Sequence, residues 1–188
     1  MQFSLFGAAA APPLLTDLDG VLLAGGQWVR HGTVARLSIV VPDRWRAEAL
    51  AVAFAQRGIG DPAPVAPAEP GQVVRSAFLP ELVPHAIRWT RGAKQASPPG
   101  LVLTPGALRL WAIAAGRSDQ AGFVLGTASA NDVTHVVAGA QLARLGLAGV
   151  SLAARGRPGW RVTSVKRLRR LAELVGEPPT GAGADWPQ

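Results

Sequence analysis

The sequence predicts an α+β fold of two pseudo-symmetric halves, each a helix–strand–strand–helix–strand–strand–helix unit with an antiparallel sheet covered by helices on one face. Three observations predict it. The order of apolar helical and extended segments in residues 14–89 recurs in residues 104–176. Landmarks return at nearly constant offset: Gly26 and Gly116 are 90 apart, Gly58 and Gly146 are 88 apart, and Arg75 and Arg161 are 86 apart. That period is too long for a solenoid, whose repeats run to roughly 50 residues, so two fused units around a shared core are the economical packing solution. Thirdly, 188 residues with 48% apolar and 16% charged side chains suit one folded domain or two small intimate halves, even with 22 Gly and 16 Pro.

Residues 1–13 read as an N-terminal tail, mildly signal-like but with no Lys or Arg before its apolar stretch. The first half spans 14–89. Its apolar segment 14–24 is predicted helical and ends at Gly25 and Gly26; extended runs follow at 27–31 and 35–41. Pro42 and Asp43 start a helix whose stripe of Trp45, Leu50, Phe54 and alanines runs through Gln56 to a stop at Gly58. The Pro- and Ala-rich stretch 60–71 reads as a loop before a strand at 73–77, and 80–89 as a short helix. Residues 90–103 are a linker. The second half, 104–176, predicts a helix at 105–115 ended by Gly116, a strand at 121–127 and a helix at 131–145 ended by Gly146. Strands at 149–155 and 159–163 and a helix at 164–175 complete it, and 177–188 form a C-terminal tail. No window of 18 apolar residues offers a membrane span, and the expected location is cytoplasmic, associated with the nucleoid.

The absence of Cys excludes a disulfide framework, a thiolate metal site and a cysteine nucleophile. His31, His85 and His135 are too scattered for a metal-ligand spacing, and no cofactor is expected. Charge points elsewhere: 19 Lys and Arg against 12 Asp and Glu give +7, and Lys94 and Lys166 are the only lysines. GC-rich coding alone enriches Arg, but the placement is one-sided. Between Asp132 and Glu173 lie Arg144, Arg155, Arg157, Arg161, Lys166, Arg167, Arg169 and Arg170, with no acid. Such a surface attracts polyanions, and guanidinium groups hold phosphate or guanine through two parallel hydrogen bonds. Nucleic acid is the expected partner.

The run from Leu103 to Gly116, with Leu103-Thr104-Pro105, Ala107-Leu108 and Trp111, resembles the second signature helix of the single-chain LAGLIDADG homing endonucleases. Trp89, Gly92, Lys94 and Pro98 are similar to that family's linker, and the first signature would run from Leu18 to Gly26, with the next strand at 35–39. The resemblance covers residues 14–176. It implies two sheets forming a saddle over duplex DNA, with a monomer carrying an internal pseudo-twofold. In that family each signature helix ends in an acid before its final Gly, and the two acids bind divalent metals that activate water. Those positions are Gly25 and Ala115 here, and neither ligates a metal. No catalytic or metal residue is therefore expected.

Small residues Gly20, Ala24 and Gly25 on one helix and Ala112, Ala114 and Ala115 on the other would let the two helices approach closely. Strands along the major groove would then point alternate side chains at base edges. The candidate contacts are Gln27, Arg30, Arg36 and Arg75 in the first half, and Arg155, Arg157 and Arg161 in the second. Lys94 in the linker and Arg169 and Arg170 on the last helix are candidate phosphate contacts. The implied function is a catalytically inactive, LAGLIDADG-like double-stranded DNA-binding protein, a regulator or a mobile-element relic. Three alternatives stay open, one of them an interaction module whose saddle meets a protein. LAGLIDADG relatives also act as splicing maturases, which makes structured RNA the rival ligand. Asp17-Leu18-Asp19-Gly20-Val21 resembles the first motif of haloacid-dehalogenase-type phosphatases, in which the first Asp is the nucleophile.

Overall fold

Two four-stranded antiparallel sheets with the same strand order carry the chain's architecture. The computed structural model describes residues 7–129, 133–152 and 157–188. A 3-10 turn over Leu15–Leu18 runs into α1 (Asp19–Leu23), followed by β1 (Gln27–His31), β2 (Val34–Val41), α2 (Arg44–Gln56), β3 (Gly60–Pro67) and β4 (Gln72–Ser76). A 3-10 turn over Pro80–Leu82 leads into α3 (Val83–Arg88), then the two-residue strands β5 (Thr90–Arg91) and β6 (Lys94–Gln95). The second series is α4 (Pro105–Ala115), β7 (Gly116–Asp119), β8 (Gly122–Gly126), α5 (Val133–Arg144), β9 (Val150–Leu152), β10 (Gly159–Val162) and α6 (Val165–Val175). The chain is thus a mixture of helices and antiparallel sheets, in the orders β1-β2-β4-β3 and β7-β8-β10-β9.

The registers agree as well as the orders. Ser38 faces Arg75 between β2 and β4, and Val124 faces Arg161 between β8 and β10, each partner displaced by 86 residues. Gln27 faces Ser38 and Arg117 faces Val124, displaced by 90 and 86. Because a one-residue slip would turn every side chain to the other face, matching register gives corresponding residues the same sidedness.

Local chemistry explains the elements. Along β2, Ala35, Leu37, Ile39 and Val41 are buried while Val40 is 52% exposed, the alternation of a sheet with one covered face. α4 begins with Thr104, whose hydroxyl accepts the Ala107 amide at 3.0 Å, and with Pro105 in its first turn. Its buried positions run all round it, from Ala107 and Leu108 to the continuous stretch 110–114, so it is the central helix. Gly20 sets how closely α1 approaches it: a Cβ there would stand 1.8 Å from the Ala107 carbonyl oxygen. One apolar core joins both sets of elements, from Leu18 through Leu37, Phe54, Trp111 and Phe123 to Trp186.

Several segments differ from expectation. The stretch 60–71 is largely β3, an edge strand on which Pro62, Pro64 and Pro67 cost little because one side of its backbone is unpaired. Its pairing with β4 shifts register between Gly60 and Val65. Gly116–Asp119, too short and polar to read as extended, becomes β7 by pairing with β8. The linker contains the β5–β6 hairpin. The segment 177–188 folds back: Trp186 is 3% exposed, and its indole nitrogen donates to the Gly176 carbonyl at 2.8 Å. Arg46, which no sequence pattern marks, is 4% exposed. Its guanidinium donates to the carbonyls of Ile113 at 2.8 Å and Gly116 at 2.6 Å, closing the C-terminal end of α4, and to Asp43 at 2.7 Å. No helix among the described residues is long and apolar enough to cross a membrane.

Candidate nucleic-acid interface

Each sheet has one face turned to the core and one turned away from it. In the first, Leu37, Ile39 and Val74 face the core, so their neighbours along the strands face outward. Directly paired residues share a face, which puts Gln27, Val29, Arg36, Ser38, Val40, Val73 and Arg75 on the open side. In the second, Phe123, Leu125 and Val162 face the core, and Arg117, Asp119, Val124 and Arg161 face outward.

Gln27, Arg36 and Arg75 are therefore brought together on one face, and Arg161 holds the corresponding place on the other sheet. Arg36 lies with its guanidinium carbon 4.4 Å from the Phe78 ring centroid, and its Nε is buried without a hydrogen-bond partner among the described residues. Arg30 does not join them. It pairs with the fully buried Ala35, so it projects from the core side of β1 and is exposed because β1 is an edge strand. Arg157 is exposed just ahead of β10. Arg155 lies outside the described residues. Lys94 is exposed beside Arg91, its partner across the β5–β6 hairpin. Gln95 ties that hairpin to the start of β1, donating to the Gly26 carbonyl at 2.6 Å and accepting the Trp28 amide at 3.0 Å. Arg169 and Arg170 lie on the exposed side of α6, whose Leu171, Leu174 and Val175 enter the core, and so belong to the helices rather than to either open face.

Sequence reasoning missed Arg117 and Asp119. The signal was present, since the 90-residue offset linking Gly26 to Gly116 carries Gln27 to Arg117 and Val29 to Asp119. Burial lowers the Arg117 pKa from its ordinary value, and the nearby positive charge of Arg157 lowers it further. Burial opposes ionisation of Asp119, but the Arg161 hydrogen bond, the Ala121 and Gly122 amides and the Arg161 charge outweigh it, holding the carboxyl below its usual range.

At the C-terminal end of α1 a cleft of about 80 Å³ opens, lined by Gly25, Gln27, Gln95, Thr127 and Thr134 among others, with no carboxylate in its wall among the described residues. Among the described residues no group of three or more His, Asp or Glu is placed to hold a metal ion. Gly25 adopts φ +104° and faces Ala128 rather than α4, so the tight helix contact falls at Gly20 instead.

The phosphatase alternative does not survive the placement of its two acids. Asp17 sits in a 3-10 turn and Asp19 at the start of a helix, not at the end of a strand. Asp17 accepts from Arg57 at 2.7 Å, Thr104 at 2.8 Å and the Leu14 amide at 3.0 Å. Asp19 accepts from Arg88 at 2.6 Å and the Trp89 indole at 2.7 Å. Both carboxylates are buried ion-pair partners, linking α1 to neighbouring segments, and neither is exposed as a nucleophile. No protein-family model matches the chain, and no curated protein matches it by sequence.

Proposed function

We propose that this chain binds double-stranded DNA as a LAGLIDADG-like saddle without cleaving it. The observation that carries the reading is the matched register of the two sheets, which puts Gln27, Arg36 and Arg75 on one core-free face and Arg117 and Arg161 on the other. Asp119 is the only acid at those open-face pairing positions, and Arg161 neutralises it. With α1 against α4 at the junction, the two faces would make one concave surface whose strands follow the major groove. Lys94 and Arg91 extend its positive charge from the hairpin, and Arg157 from the turn before β10. The LAGLIDADG acid positions correspond to Gly25 and Ala115, which leaves binding without metal-dependent hydrolysis as the activity.

A binding selection on random duplex DNA with structured RNA as competitor tests the reading. Duplex binding should weaken linearly in log salt, with a slope of roughly −0.9 per neutralised phosphate. Arg75→Ala should weaken it, and Arg169→Ala with Arg170→Ala should change it little, because those two lie on the helical side. Preference for folded RNA over every duplex offered transfers the reading to a maturase-like RNA binder.

A further inference from the structure

Among the differences between the two open faces, one decides how an arginine is held. Where β1 carries Val29, β7 carries Asp119, 90 residues later; where β4 carries Arg75, β10 carries Arg161, 86 residues later. Val29 is apolar, and the Arg75 side chain makes no hydrogen bond or ion pair among the described residues. Arg161 is pinned. Its Nε and Nη2 both donate to Asp119 Oδ2, at 2.9 and 2.5 Å. It reaches there across β8, whose residue opposite Asp119 is Gly122 and has no side chain to intervene. The carboxylate is itself fixed, since its Oδ1 accepts the Ala121 amide at 2.9 Å. Both partners stay accessible, with side chains 30% and 26% exposed.

The chemistry of this pair separates base reading from phosphate attraction. A guanidinium is a planar fork of five N–H donors, and Asp119 occupies the edge formed by Nε and Nη2. The edge formed by Nη1 and Nη2 keeps two parallel N–H groups, which match the adjacent O6 and N7 acceptors of guanine in the major groove; adenine offers a donor beside its N7 instead. The carboxylate also cancels the positive charge that would draw Arg161 to a phosphate, and it orders the side chain before binding, which lowers the entropy lost on contact. We infer that Asp119 makes Arg161 a guanine reader, so that the second half demands a G·C pair at one fixed position, whereas Arg75 in the first half grips without that demand. The inference rests on the duplex-binding reading above.

The test sequences the duplexes selected by the full-length wild type, Asp119→Asn, Arg161→Lys and Arg161→Ala, after circular dichroism has shown each to be folded. Wild-type sites should carry, at one fixed position, a guanine favoured roughly 5- to 150-fold over other bases. Asp119→Asn should lose at least about fivefold of that preference while binding unselected duplex as tightly or more tightly, with a steeper salt slope. Arg161→Lys keeps the ion pair but not the two-pronged edge, and should lose the preference too. A purely structural ion pair would lower melting temperature and leave base preference alone. Guanine preference intact in Asp119→Asn or in Arg161→Ala overturns this inference while leaving duplex binding standing. Absence of salt-dependent duplex binding by the wild type overturns the duplex reading and this inference with it.

Discussion

Gly20→Ala is the sharpest test of how the halves are joined. An added Cβ would stand 1.8 Å from the Ala107 carbonyl oxygen, 2.7 Å from its carbon and 2.9 Å from the Trp111 amide nitrogen. Close C–H···O contacts settle near 3.3 Å, so α1 and α4 must part by about 1.5 Å. The clashing atoms are all backbone, so no rotamer change relieves the overlap. Overpacking of this kind costs about 1–3 kcal/mol, and the parted surfaces forfeit dispersion contact besides. Replacing Gly by Ala in a helix returns at most about 1 kcal/mol. The net loss is about 2 kcal/mol, which for a chain of this size lowers the melting temperature by about 4–8 °C. Thermal unfolding followed by circular dichroism reads it directly. A variant melting at or above the wild-type temperature refutes the backbone-to-backbone contact.

Arg46→Met should cost about 2–4 kcal/mol, because the carbonyls of Ile113 and Gly116 lose their buried donor and Asp43 its partner; an unchanged urea midpoint counts against it. The His85 pKa is lowered by burial and by the Arg88 charge against an opposing pull from Asp19. The unfolded chain therefore takes up a proton first as pH falls, so stability should decline below the ordinary imidazole pKa of about 6.5 and level off below the folded-state value. His85→Gln should flatten that part of the profile in urea titrations run between neutral and mildly acidic pH. With magnesium or manganese the purified protein should leave duplex DNA uncut, and a specific double-strand break abolished by a chelator would show that carboxylates elsewhere in the chain assemble a metal site.

Legibility in the sequence followed the range of the interaction that made each element. α4, with its Thr-Pro start and Gly stop, and β2, with its strict alternation, carry their boundaries in adjacent residues. β3 and β7 do not: a Pro-rich stretch and the four residues Gly-Arg-Ser-Asp become strands only because β4 and β8 offer them hydrogen-bond partners. The same division runs through the candidate interface. Arg36, on a clearly alternating strand, can be assigned to the outer face by counting, whereas the side of Arg30 cannot, because an edge strand exposes both its faces.

The sequence by itself determined that the chain is α+β, that two sets of elements repeat at offsets of 86 to 90 residues, and that positive charge gathers in the second set, since composition, periodicity and repetition are properties of neighbours along the chain. Only the tertiary structure decided that Gly20 rather than Gly25 admits α4, that Asp17 and Asp19 are consumed in buried ion pairs, and that Asp119 holds Arg161. Each of those outcomes joins residues between 40 and 87 positions apart. Which distant group meets which is set by strand register and helix packing, and these settle only when the whole core closes.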